Sequence, residues 1–243
     1  MFTITKTDTP DGSCVTAVHD VEVDWSDQTG WFDPSKIDTA VTIVGCGGIG
    51  SNVAFELIAM GFKRFVLYDD DVVEMRNLAS QKAYRHSDLF RPKVEALADV
   101  LFEYGAEKVL LRQRRFTADD VIEGSIIIGA VDSMSSRRAI WAAVQASPEV
   151  ELYLDGRLDS EVAQICAVDP LDANWYESRW LFSDEEASQT GNCTMRVIVY
   201  PATVMAGVMC RHLSRWYQGE PITQFVQFDC TNLELMKLGD IEE

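Results

Sequence analysis

From residue 39 onward the chain alternates between two hydrophobic rhythms. Short apolar runs rich in β-branched residues predict buried strands at 40–45, 64–69, 108–113 and 125–131. Between them, apolar positions three and four apart predict helices at about 50–60, 91–104 and 135–146. Val94, Leu97, Ala98 and Leu101 share one face of the second helix, and Ala139, Ile140, Ala143 and Val144 one face of the third. Strands alternating with helices imply an α/β, Rossmann-like fold with a mostly parallel central sheet covered on both sides. After residue 150 the rhythm changes. Leu152–Leu154 and Val162–Val168 read as strands joined by Asp155-Gly156-Arg157 with no helix between them, so the sheet is extended by antiparallel strands. Residues 170–193 are acidic and loop-like. A helix at about 201–216 and a strand at about 223–229 follow. Residues 1–38 are polar and acidic with Asp-Gly, Thr-Gly and Asp-Pro turn signals, which predicts an irregular or weakly β arm. No repeat and no clear linker divides residues 1–243, so the chain reads as a single domain.

The join between the first strand and first helix is the informative one. It reads Val-Thr-Ile-Val-Gly-Cys-Gly-Gly-Ile-Gly over residues 41–50, and Gly45, Gly47 and Gly50 fit the G-x-G-x-x-G turn. Glycine suits a tight turn whose backbone must approach a phosphate with no Cβ in the way. The amides opening the next helix then face an anion. Asp69 ends the following apolar run, where a carboxylate accepts hydrogen bonds from ribose hydroxyls. These features predict nucleotide binding.

Net charge is −18, which argues against a nucleic-acid surface. No apolar run approaches the roughly 18 residues that span a bilayer, and residues 1–15 have no signal-peptide pattern. The six cysteines form no C-x-x-C pair, so neither zinc nor a disulfide framework is expected. A reducing, cytoplasmic setting fits this usage. His19, His86 and His212 have no metal-ligand spacing.

The segment beyond Asp69 separates this chain from a dehydrogenase. Gly45, Gly47, Gly48 and Gly50, then Asp69 and Asp71, then Asn77 and Gln81, then Pro92-Lys93, then Asp132 after the fourth apolar strand occur in that order. In this the chain resembles the ThiF/MoeB family of ubiquitin-activating-enzyme-like adenylyltransferases, in the compact, zinc-free, stand-alone form found in bacteria and phages. The resemblance is strong over about 40–135 and weaker to about 215. It implies an arm (1–38), a nucleotide-binding core (39–150) and an acceptor-side extension (151–243). It further implies an enzyme that uses ATP and Mg²⁺ to adenylate the C-terminal carboxylate of a small ubiquitin-like or sulfur-carrier-like protein, and that works as a homodimer. Asp132 would hold Mg²⁺ on the phosphates, and Lys93 would offset phosphate charge. Asn77 and Gln81 would bind phosphate or ribose oxygens. Each has a plainer alternative: a helix cap for Asp132, an exposed helix lysine for Lys93, loop residues for Asn77 and Gln81.

Two departures stand out. Ser80 occupies the place of an arginine that the family carries before its Gln, and residues 1–63 hold no arginine. Arg76, Arg85, Arg91 and Arg157 are substitutes, Arg157 the foremost because it follows a strand near the crevice; its plainer alternative is a surface hairpin residue. Cys193, in Gly191-Asn192-Cys193-Thr194-Met195-Arg196, is a candidate acyl acceptor for thioester formation, with a packing role as its alternative. Cys46, Cys166, Cys210 and Cys230 read as packing residues. The missing arginines also admit a second reading, a nucleotide-binding but inactive scaffold partner of an active homologue.

Overall fold

The computed structural model describes residues 2–20, 22–28, 30–183 and 198–240. Ten strands among them join in one sheet: β1 (Phe2–Thr9), β2 (Gly12–His19), β3 (Val41–Val44), β4 (Arg64–Tyr68), β5 (Lys108–Arg112), β6 (Ile126–Gly129), β7 (Leu152–Asp159), β8 (Val162–Val168), β9 (Thr223–Asp229) and β10 (Glu234–Asp240). Their spatial order is β1-β2-β5-β4-β3-β6-β7-β8-β9-β10. The central five, β5-β4-β3-β6-β7, are parallel, and the flanking strands on both sides pair antiparallel.

Continuous apolar strands are explained by burial on both faces. Ile43, Leu67, Ile128 and Leu154 point to one side. There they meet α1 (Gly48–Met60), α2 (Lys93–Glu103) and α5 (Val199–Tyr217) through Leu57, Leu97, Leu101, Met205 and Met209. Their neighbours Val44, Val66, Ile127 and Tyr153 point to the other side, against Ile140, Trp141 and Val144 of α3 (Met134–Ala146) and Tyr176 of α4 (Asn174–Trp180). The period-2 alternation of the strands therefore feeds two separate cores.

Several expectations need correction. Of the two expectations for the N-terminal arm, irregular or weakly β, the second holds for its first half and understates it: β1 and β2 form a hairpin that pairs onto β5, with Val15 and Ala17 buried. Threonine-rich alternation made it read as polar, although Asp11-Gly12 marks its turn. Asp155-Gly156-Arg157 does not connect two strands. It lies inside β7, and the turn falls at Ser160 and Glu161, with Ser160 at φ 52°. The stretch expected to be loop at 170–193 contains α4, too short to show a period, and β10 was not expected at all.

The glycine turn constrains the packing of α1 on β3. A Cβ on Gly50 would stand 1.8 Å from the Gly45 carbonyl oxygen, a backbone atom that cannot swing aside. Gly50→Ala should therefore cost roughly 3 kcal/mol, read as a lower urea midpoint with an unchanged slope. A midpoint like that of the unmodified protein would show that α1 can shift away from β3.

Candidate functional site

The carboxyl ends of β3, β4 and β6 lie side by side at one end of the parallel sheet, the place where such sheets present ligand sites, in the crevice outside the strand ends. Gly45, at the exit of β3, has φ +93° and donates its N–H to Tyr68 O at 2.8 Å. A Cβ there would lie 2.5 Å from Ala130 O, so the turn runs hard against the exit of β6. Gly47 differs. It is the N-cap of α1 at φ −77°, carries no side-chain cap, and a Cβ on it would meet nothing within 4 Å. Gly45 and Gly50 shape the turn; Gly47 leaves room beside it. Gly48 opens the helix and is buried, and the Asn52 amide bonds back to its carbonyl while Asn52 Oδ1 stays buried without a partner. Burial pushes the Cys46 thiol far up, as does nearby Asp69, which makes this cysteine a packing residue.

Asp69 binds the turn to β4. Its Oδ2 accepts from Cys46 N at 2.7 Å and its Oδ1 from Asp71 N at 2.8 Å. Burial raises its carboxyl pKa, opposed by the Lys93 charge and by these two backbone donors. Asp71 in turn meets Lys93 Nζ at 2.7 Å. Lys93 is the first residue of α2, and its side chain is only 7% exposed, so it is not a solvated helix lysine. The carboxylate oxygens of Asp69, Asp70 and Asp71 lie within 4.8 Å of one another.

Asn77 sits in a 3-10 turn over Met75–Ala79, and its Oδ1 accepts from Glu74 N at 2.8 Å, closing that turn. Gln81 follows, buried, with its Oε1 lacking any partner. A buried acceptor left unpaired is costly. Tyr84 ties this segment to the glycine turn through a bond from its hydroxyl to Cys46 O.

Asp132 lies just beyond β6 and is exposed. It does not cap α3. Ser133 does, its Oγ accepting from Ser136 N at 3.2 Å. Arg157 is not a surface hairpin residue. It is 9% exposed, donates through Nε and Nη2 to Asp155 Oδ2 at 2.9 and 2.6 Å, and its guanidinium lies 5.6 Å from the ring centres of both Trp180 and Phe182. Fully buried Asp155 also accepts from Arg137 Nε at 2.9 Å and the Tyr176 hydroxyl at 3.0 Å. Burial acts to raise its carboxyl, but the Arg157 and Arg137 charges outweigh that and hold it below the ordinary value. Arg137 Nη2 reaches Val131 O, next to Asp132, and Arg157 Nη1 is buried without a partner. Two guanidinium groups thus share one carboxylate beside the crevice. Cys193 lies outside the described residues. Cys166 and Cys210 are buried, whereas Cys230 is only half-buried.

Sequence reasoning passed over Arg137, Asp155 and Arg115. Arg115 donates from Nε to Asp70 Oδ2 at 3.0 Å and feels the carboxylates of Asp132 and Asp71. The signal was the run Arg112-Gln113-Arg114-Arg115, a cationic cluster at the end of a strand in an acidic chain.

The chain is 31% identical to the sulfur carrier protein ThiS adenylyltransferase of Escherichia coli (strain K12) over 115 residues, 45% of this chain and 46% of that protein. It is 31% identical over 106 residues to the SAMP-activating enzyme E1 of Haloferax volcanii, 42% of this chain and 39% of that one. It therefore spans less than half the length of these curated relatives. A crystal structure of E. coli MccB with ATP superimposes with a TM-score of 0.68 at 17% identity, covering 85% of this chain and 65% of that one. The fold is shared at that distance. Residues 36–241 match the ThiF family, and the chain belongs to it.

Proposed function

We propose that this chain binds ATP with Mg²⁺ and adenylates the C-terminal carboxylate of a small ubiquitin-like or sulfur-carrier-like protein. The observation that carries the reading is the open glycine turn at Gly47, bounded by Asp69 and Lys93 on one side and Asp132 on the other. The site fits ATP in its donor set. Amides at the start of α1 face outward for the α-phosphate, Asp69 accepts from the ribose hydroxyls, and the orphaned Gln81 Oε1 accepts another donor. Asp132 has no capping role and is available to hold Mg²⁺, which would neutralise charge on the phosphate oxygens. Relatives that act on ThiS and SAMP, and a fold neighbour that takes ATP, support the same reading.

In this mechanism an oxygen of the acceptor carboxylate attacks the α-phosphorus. The bond to the bridging oxygen breaks and pyrophosphate leaves, giving an acyl-adenylate. Both reactants are anions, so cations must offset the developing charge. Lys93 supplies a buried point charge, held 2.7 Å from the Asp71 carboxylate beyond the end of β4. The Arg137–Asp155–Arg157 cluster supplies a surplus positive charge beyond β6, and Arg157 Nη1 is its unused donor. The reading continues with transfer of the acyl group to the Cys193 thiolate and release of AMP. It places the protein in the cytoplasm as a homodimer, with no zinc. Among the described residues no helix is long and apolar enough to cross a membrane.

A second reading is an inactive nucleotide-binding partner. It is favoured by Arg157 being committed to Asp155 and by Ser80 standing before Gln81. ATP–pyrophosphate exchange with a small carrier protein ending in glycine decides between the two. Exchange requires acyl-adenylate chemistry, and its absence in a protein that still binds ATP favours the partner reading.

Asp132→Ala should lower that exchange roughly 100-fold or more, with stability within about 0.5 kcal/mol of the starting protein. Ser133→Ala should do the reverse, costing about 1 kcal/mol with exchange intact. Urea melts run beside the assay separate these; normal exchange by Asp132→Ala would remove Asp132 from the site.

Gly47→Ala tests the turn. A Cβ there meets nothing, so the melt should fall only by the cost of a poorer N-cap, about 1 kcal/mol or less. Mg²⁺-ATP binding by calorimetry should weaken about tenfold, roughly 1.4 kcal/mol, because the methyl stands where the phosphate approaches. Unchanged affinity would place the phosphates elsewhere.

A further inference from the structure

A nucleotide lays phosphate, ribose and base in a line, and the sheet order gives that line a direction. The open turn for phosphate is at the exit of β3, and the ribose acceptor Asp69 is at the exit of β4. The next strand outward is β5. A base attached to that ribose is carried away from the phosphates, over the exit of β5, where residues 113–120 leave the sheet.

Two neighbouring arginines there behave differently. Arg114 is locked inward. Its Nη1 meets Asp120 Oδ2 at 2.8 Å, and its guanidinium lies 5.2 Å from the centre of the Tyr68 ring. Asp120 also accepts from Thr117 N at 2.7 Å, and Phe116 packs edge-on against Tyr68 at 4.9 Å. The loop is thereby fastened to the last residue of β4, directly before Asp69. Arg115 is turned outward by this fastening. Its side chain is 82% exposed, and its Nε is held by Asp70. One edge of the guanidinium is anchored and its plane is left bare. Such a plane is weakly hydrated and stacks well on aromatic faces.

Resting on the nucleotide reading above, we propose that Arg115 holds the nucleobase, its guanidinium lying flat on a purine ring and its orientation set by Asp70. The shape of the group then matters more than its charge.

Calorimetric titration of AMP and of Mg²⁺-ATP into the full chain tests this, with Arg115→Ala, Arg115→Lys and Arg115→Trp beside the unmodified protein. Arg115→Ala and Arg115→Lys should each weaken both ligands by the same factor, about tenfold. Arg115→Trp, planar but uncharged, should restore most of that loss. Arg115 is exposed, so thermal melts should match for all variants. Restoration by Lys and not by Trp would overturn the proposal in favour of a phosphate contact, as would a loss larger for ATP than for AMP. Equal affinities throughout would make Arg115 a plain surface residue. An unmodified protein that binds neither ligand would overturn the nucleotide reading itself, a result distinct from any difference among the variants.

Discussion

The carboxylate of Asp69 holds together the parts on which everything at the crevice depends. One oxygen fixes the glycine turn through Cys46 N, and the other fixes the chain leaving β4 through Asp71 N. Asp71 then carries the linkage to Lys93 and so to the start of α2. Three segments far apart in sequence are set relative to one another by one half-buried acid. An acid in that position pays a desolvation cost, offset by two backbone donors and a lysine charge. The same bonds keep its oxygens at the strand end, where a sugar hydroxyl would find them. The structural role and the proposed ligand-facing role fall on the same two oxygens.

The molecule handles its other buried acid in the opposite way. Asp155 is out of water entirely, and its lone pairs are taken by two arginines and a tyrosine. Burying a charge this deeply is tolerable only with full pairing. Over-pairing with two cations leaves the cluster positive, beside strand ends that otherwise carry Asp69, Asp70, Asp71 and Asp132. Most of the acidic excess is solvated, and it falls to Asp155, Lys93 and the glycine turn to set the local field where chemistry is proposed.

Much of the parallel core was legible in the sequence because it is buried on both faces. Runs such as Val41–Val44 and Ile126–Ile128 have no other reading, and helices amphipathic enough to cover them carry a clear period. The glycine turn and Asp69 stood out because they mark the join of strand to helix and the end of the next strand, whereas Lys93 stood out only through the resemblance to the ThiF/MoeB family. The edges were not. β1 is mostly exposed and threonine-rich, and β10 is exposed along its described side chains, so neither carries a burial signal. Arg157 was found as a residue but misplaced, because Asp-Gly looks like a turn. In β7 that glycine instead admits Met205, Met209 and Ile49, each about 3 Å from where its Cβ would be. Arg115 was missed because its partner is Asp70, 45 positions away.

The pairing of β2 with β5 sets an order of events during synthesis. The hairpin of β1 and β2 is complete once His19 has been made, but the strand it docks on begins at Lys108. At ribosomal rates the interval is on the order of ten seconds. A two-stranded hairpin is at best marginally stable alone in water. Val15 and Ala17 must therefore stay uncovered, with an unpaired β2 edge, until α1, β4 and α2 have been laid down. The side of the sheet that is translated early is assembled late, and in that window the nascent chain offers an open strand to any passing neighbour.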